Sequence, residues 1–548
     1  MLAVLTVNSE IDEIVPGDGN VTLREAIIAA NEDSTTDLGD SAHEADKIVF
    51  DPSLDGKPIV IRIGGPAEND GRTGDLDITE ELTITGNGPA QTIIDGNSID
   101  RVFDIHARWV RLENVGITGG EADGSGGAIR SHRELQLSNS AIYGNSANER
   151  GGGIFTLSGA SIESSTITEN TAGGTAGGIY ATGNIHLKDS TLSRNTGITG
   201  GAHSNRELTI LNSSVWGNTS TGGDLNAGGV SAGLNVTVTD STISQNFGGG
   251  SAGTGAIFSR GNTAISRSTI VQNIGHHHGA GGIKTLGRLD LSNSILADNV
   301  VVIFRQDQPR EYRASSATFR HSLIGSNFET GLRVSRTADA NGNLIGSRGL
   351  PMEPRLGPIQ DNGGPTWTHA LLPGSPAIDA GAPSPVAPER DFPSYDQRGQ
   401  GFDRIDGLAI DIGAVEFSQP LPGDANFDGV FDSTDLIRVF QANQYEDEIA
   451  NNSTWRDGDW NGDGEFDTSD LILAFQSGNY QAFASPTAES RHMVVDSLIP
   501  NDVATRDENV KAALRIHPRQ KANGSLLAIT GVLAARLPIE TTEIPTGF

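Results

Sequence analysis

SAIYGNSANERGGGIFTLSGASIESSTITENTAGGTAGGIYATGNIHLKDSTLSRN, residues 140–195, holds three copies of one phrase. Each copy has a serine, an aliphatic residue two places later and an asparagine five places after the serine. The copies end at Asn145, Asn170 and Asn195, and the phrase recurs ending at Asn218, Asn246, Asn273, Asn299 and Asn327. The steps are 25, 25, 23, 28, 27, 26 and 28 residues. A Gly-Gly or Thr-Gly pair with a small or aliphatic residue precedes each of the first seven copies, as in GGAI at 126–129 and TGAI at 254–257. Between the two markers lies a strand pattern such as Leu135-Gln136-Leu137. Three short strands and three turns consume about 25 residues, which is one coil of a parallel β-solenoid. Successive coils then stack at the strand spacing of about 4.8 Å. Ile142, Ile167, Leu192, Val215, Ile243, Ile270 and Leu296 are predicted to form an inward stack, each side chain contributing roughly 1.5–3 kcal/mol. The serines and asparagines are predicted to form polar ladders at the corners, where asparagine tolerates left-handed backbone and bonds turn amides. The expected fold class is mainly β, a right-handed parallel β-helix over residues 81–349.

Composition agrees with a solenoid and excludes several classes. Glycine is 70 of 548 residues without a Gly-X-Y period, so collagen is excluded. There is no cysteine, hence no disulfide, thiolate metal site or cysteine nucleophile. The net charge of −31 opposes nucleic-acid binding, which needs a basic face. No apolar run reaches 18 residues, so no membrane span is expected. Met1–Val7 lacks a basic flank and reads as a first strand, with any export signal not visible in this chain.

Residues 21–31, VTLREAIIAAN, read as a helix with Thr22 and Glu25 as a capping box. This string resembles the LREA-type segment at the head of many secreted bacterial β-helices. The alternating GGAI-like and aliphatic-x-x-Asn motifs resemble polymorphic outer membrane protein repeats, although the second motif here begins with Ile, Leu or Val instead of Phe. Residues 350–417 contain PRLGPIQDNGGPT, HALLPGSPAIDAG and DIGAVEF. They resemble the C-terminal part of the same LREA-headed proteins, which implies a last-coil cap. Together these resemblances imply a pectin lyase-like parallel β-helix, extracellular or on the cell surface. The expected organisation is an N-terminal strand and helix cap (1–80), the β-helix (81–349), its C-terminal cap (350–417), a calcium domain (423–482) and a weakly ordered tail (483–548). Within the tail, 507–515 and 525–536 read as helices.

The strongest chemical motif is duplicated. DANFDGVFDSTD (424–435) and DWNGDGEFDTSD (459–470) carry oxygen ligands at calcium-loop spacing. The first loop offers Asp424, Asn426, Asp428, the Val430 carbonyl, Asp432 and Asp435. The second offers Asp459, Asn461, Asp463, the Glu465 carbonyl, Asp467 and Asp470. Two Ca²⁺ ions are expected. Leu436, Ile437, Phe440, Gln441 and Tyr445 recur at Leu471, Ile472, Phe475, Gln476 and Tyr480, so one helix should follow each loop. The segment resembles a type I dockerin, an EF-hand-like module. The resemblance implies that Ser433, Thr434, Thr468 and Ser469 face a cohesin-like partner.

Two functions follow as expectations. One is a secreted or surface β-helix that binds a glycan or a surface partner and is tethered by the calcium module. The other is a polysaccharide lyase or glycoside hydrolase, acting in polysaccharide catabolism and targeted by that module; the sequence leaves open whether the chain is an enzyme. For the first, Arg130, Phe155, Tyr180, His203, Phe258 and Lys284 share one outward position and could stack on sugars. For the second, Asp189 and Asp240 lie two coils apart, roughly 9–10 Å, a separation suited to inverting hydrolysis. Both sets also fit plain structural roles. The same holds for Asp361, His369, Asp379, Asp396 and Arg398, read as turn and ion-pair residues, and for His276-His277-His278, read as a turn insertion.

Overall fold

The computed structural model describes residues 3–42, 46–65, 69–223, 226–303, 306–382, 393–417, 421–426, 430–447, 449, 452–461 and 463–481. The helices expected at 507–515 and 525–536 lie outside these residues. Three long parallel sheets run the length of a β-solenoid. The first has twelve strands, from Ala3–Val7 to Ser316–Arg320; the second has ten, from Leu76–Ile78 to Tyr312–Arg313; the third has twelve, from Ile59–Val60 to Leu344–Ile345. A fourth, five-stranded ladder of two-residue strands fills a corner, from Glu121–Ala122 to Thr219–Ser220.

Sequence repeats become registers. Ile142, Ile167, Leu192, Val215, Ile243, Ile270 and Leu296 pair rung to rung along the third sheet. All of them are buried in one continuous core. The serine ladder runs from Ser140 to Ser322, each serine N–H donating to the hydroxyl of the next serine at 3.0–3.4 Å. The asparagine ladder runs from Asn145 to Asn299 in the same way, with both backbone N–H and side-chain Nδ2 donating to the next Oδ1. These groups are buried, so each bond offsets a desolvation cost of about 1–3 kcal/mol.

Two details differ from the sequence reading. The left-handed corners fall on the residue before each ladder member, as at Asn139, Ser164, Asp189, Asp240 and Arg267 (φ 46–49°), and not on the ladder residues. Second, Asn327 of the eighth copy is not in the ladder; its Nδ2 donates to Leu332 O instead. Glu311 Oε2 takes that place, accepting from Asn299 N and Nδ2. Burial pushes the Glu311 carboxyl well above its ordinary range.

Helix α1 (Leu23–Asn31) has the expected capping box and buries Leu23, Ala26, Ile27 and Ala30. Arg24 is buried as well. It pairs with Asp12 at 2.6 Å and donates to Gly71 O and Gly74 O, fixing the loop that precedes the second sheet's first strand.

Residues 350–417 form a strap along the outer face of the third sheet, where a cap on the last coil was expected. Trp367 stacks on Trp216, with ring centroids 5.0 Å apart. His369 Nε2 accepts from the Ser244 hydroxyl, Thr242 Oγ1 donates to Gln397 Oε1, and Ala414 N–H donates to Thr269 Oγ1. Gly413 N–H donates to Asn293 O one rung further on. Val271, Ile295 and Ala297 form a second core with Met352, Leu371, Ala377 and Ile412 of the strap. An apolar outward sheet face needs such a cover.

A third small core joins Ala425, Phe431, Val439, Trp460, Phe466 and Ala474 around helices α2 (Ser433–Gln441) and α3 (Thr468–Gln476).

Candidate functional site

One outward row of the second sheet gathers most of the candidate chemistry. Strand pairing aligns Asp77, Asp104, Arg130, Phe155, Tyr180, His203, Ser231, Phe258 and Lys284 in a single register. Of the seven residues from Arg130 onward, all but Ser231 were picked from sequence. Asp77 and Asp104 were missed, because their coils lack the Gly-Gly marker. The signal was present in the strings Leu76-Asp77-Ile78 and Phe103-Asp104-Ile105, spaced 27 and 26 residues before the next members of the row.

The aromatic part of the row is stacked but mostly covered. Phe155 and Tyr180 lie 5.5 Å apart and Tyr180 and His203 5.4 Å, all near parallel. Ser231 interrupts the line before Phe258. Exposure is only 8% for Phe155, 6% for Tyr180 and 2% for Phe258. Ala176 packs on the first two rings, and the Arg150 guanidinium sits 5.2 Å from the Tyr180 ring centre. The open sugar platform expected from the sequence is therefore a packed ladder. His203 is pushed down to about 4 by burial.

At the other end of the row the chemistry is denser. Asp104 is buried and accepts from Arg130 Nε at 2.9 Å, with Nη2 also bonded. His106 and His132, two residues beyond Asp104 and Arg130 on their chains, stack at 4.3 Å. Their Nε2 atoms lie 3.3 and 3.4 Å from the Asp104 carboxylate, and His106 Nε2 is 3.6 Å from Asp77 Oδ1. Gly71 N–H donates to Asp77 Oδ2, so the loop held by Arg24 closes over this carboxylate. Asp75 pairs with Arg101 at 2.6 Å, yet burial raises its carboxyl to about 6. Burial would raise Asp104 too, but the Arg130 hydrogen bond and charge outweigh it and hold the carboxyl below its ordinary value. Burial lowers the His132 imidazole, which favours its neutral form.

No protein-family model matches the chain, and no curated protein matches it. Among solved structures, the crystal structure of pectate lyase Pel9A is similar over 76% of this chain and 98% of that one, at 14% identity and a TM-score of 0.40. The strand pairings by themselves define the β-helix.

The two candidate acids sit at left-handed corners, one residue before ladder serines. Asp189 accepts from Asn212 Nδ2 at 3.1 Å. Asp240 is buried and receives two bonds from Arg267, at 2.8 and 2.9 Å. Both have structural partners, and the register places one rung between them. Asp361, His369, Asp379, Asp396 and Arg398 do not converge. Asp396 pairs with Arg398, Asp379 accepts from Leu408 and Ala409 N–H, and Asp361 accepts from Gly363 N–H. His276 ends a strand, and His277 and His278 contact each other edge to face at 4.1 Å.

In the duplicated segment, the last aspartate of each loop organises the backbone. Asp435 Oδ1 accepts from Ala425 and Asn426 N–H, and Oδ2 from Asp432 N–H. Asp470 repeats this with Trp460, Asn461 and Asp467. Asp432 and Asp467 are helix N-caps, so each pair forms a capping box that the sequence reading had given only to the ion. In the second loop Asn461 Oδ1 and Asp463 Oδ1 accept from the amides of Asp463 and Glu465. Asp428 lies outside the described residues. Residues 431–440 and 466–475 share one burial pattern, position for position. Ser433, Thr434, Thr468 and Ser469 are exposed, as are Ile437, Phe440, Ile472 and Phe475.

Proposed function

We propose that this chain is a secreted or cell-surface β-helix that engages a polysaccharide or surface partner and is attached through a calcium-dependent, dockerin-like module. What supports this reading is the duplicated exposed surface of α2 and α3. A helix surface that leaves Phe440 and Phe475 about half exposed, beside paired hydroxyl residues, fits a partner that covers it. The partner envisaged is a cohesin-like protein, contacted through Ser433–Thr434 or Thr468–Ser469. Two Ca²⁺ ions would be held by the oxygen sets at 424–435 and 459–470, including the Val430 and Glu465 carbonyls. Hard oxygen donors suit that ion. Calorimetric titration of the full chain should find two calcium sites, with Asp424→Ala and Asp459→Ala each removing one. Absence of uptake in the unmodified chain would end the reading.

A second reading, a polysaccharide lyase or hydrolase, draws on the Asp77, Asp104, Arg130, His106 and His132 group. It combines carboxylates, imidazoles and a guanidinium on one outward face, the residue types that acid–base chemistry on a sugar chain requires. Product analysis on whichever polysaccharide a calcium-supplemented glycan array selects separates binding from turnover.

A further inference from the structure

We infer that Asp104, His106 and His132 form a site for a borderline divalent transition metal such as Zn²⁺ or Co²⁺, distinct from the calcium loops and independent of the dockerin-like reading. The three side chains each offer one ligand atom, and these atoms all lie within 4.8 Å of one another. Two ligands on one ion at about 2.1 Å can be at most about 4.2 Å apart. The two histidine-to-carboxylate distances, 3.3 and 3.4 Å, already satisfy that limit. These distances run to Oδ2 and Oδ1 respectively, and with every ligand atom within 4.8 Å of the others the rings must close by at most about 0.6 Å to share one ion.

A second observation points to a ligand. The Nε2 atoms of His106 and His132 are shielded from solvent and make no aligned hydrogen bond among the described residues. A shielded ring nitrogen without a hydrogen bond is costly, and a metal is a natural partner for a neutral imidazole. Protonating both rings is a poor alternative, because two stacked imidazolium ions 4.3 Å apart would repel. Two imidazoles and one carboxylate favour transition metals over calcium, which takes oxygen ligands. Arg130 does not block the site, since a carboxylate offers about four lone-pair positions and the guanidinium uses two. It acts as an outer partner that orients Asp104. The buried Asp77 carboxylate adds negative charge beside the ring of His106. The histidine side chains are 27% and 34% exposed although their Nε2 atoms are shielded, so the ion would sit just beneath the surface with three protein ligands.

The test uses the full chain in excess Ca²⁺, which occupies the oxygen loops. Titration with Co²⁺, followed by its visible absorption, should show one ion per chain, displaced stoichiometrically by Zn²⁺. His106→Gln and His132→Gln should each weaken uptake by about tenfold or more, while His277→Gln leaves it unchanged. Circular dichroism and melting of the two variants should match the parent, because both side chains are partly exposed. If either variant melts lower, the ligand test moves to the parent chain, whose Co²⁺ band must carry the signature of histidine nitrogen. No uptake by the parent, uptake without that signature, or undiminished uptake in both folded variants would overturn the site.

Discussion

At the residue scale, buried polar ladders run beside the aliphatic stacks along the solenoid. Asn218 accepts from Asn195 N and Nδ2, and its own Nδ2 donates to Leu192 O, Trp216 O and Asn246 Oδ1. Asn218→Ala orphans several buried groups, so a loss of about 2–4 kcal/mol is expected in chemical denaturation. Asn327→Ala, outside the ladder, should cost about 1 kcal/mol or less. Equal losses would mean that the ladder bonds add little. The ladder members were legible because each copy repeats serine and asparagine at fixed offsets. The terminus at Glu311 was not. Between Asn299 and Ser322 the chain inserts a hairpin, Val300–Ile303 against Gln306–Pro309, and a residue of another type arrives at the ladder position. The Asp104, His106 and His132 group was hidden for a related reason: Asp104 and His106 lie on a coil that keeps the rung spacing without the glycine marker, one coil before the GGAI marker that leads to His132.

At the element scale, the strap is the main departure from the sequence reading. Its Pro- and Gly-rich composition excluded helices and said nothing about where it would lie. His369 shows how it is fastened. Its Nδ1–H donates to Gly357 O at 2.8 Å, and Nε2 accepts from Ser244, which fixes a neutral ring in a buried site. Burial lowers this imidazole to about 4, against about 6.5 in an unfolded chain. Because the folded value is the lower one, the neutral contact is fully favourable above pH 6.5. Its stability is lost as pH falls toward 4, where the open form takes up the proton first. Hydrogen exchange of amides 366–371 should therefore speed up between pH 6.5 and 4, after correction for intrinsic rates. His369→Gln should flatten that dependence. A parent profile as flat as the variant's would show that the ring does not link the strap to pH.

At the scale of the whole molecule, the described residues divide their apolar burial among a long solenoid core, the strap core and the small core around α2 and α3. Residues 423–470 carry 13 acidic and 2 basic side chains, so charge repulsion is concentrated in the last of these. Chelation should lower the melting of that segment and leave the solenoid transition in place, as resolved by calorimetry. A solenoid transition that moves with the chelator would place an ion in the β-helix that matters for its stability. The parallel coils and the twin loops were both legible from spacing, whereas the packing of distant segments was not, since it depends on which outward faces happen to be apolar. The strap also acts as a ruler. It is keyed to successive rungs at Ser214, Thr242, Thr269 and Asn293, so a coil gained or lost there would shift every later contact by about one strand spacing. Repeat proteins change length by duplicating units. A coil inserted before Ser214 should therefore leave the strap seated, whereas one inserted between Ser214 and Asn293 should unseat it, which hydrogen exchange of residues 366–371 would read.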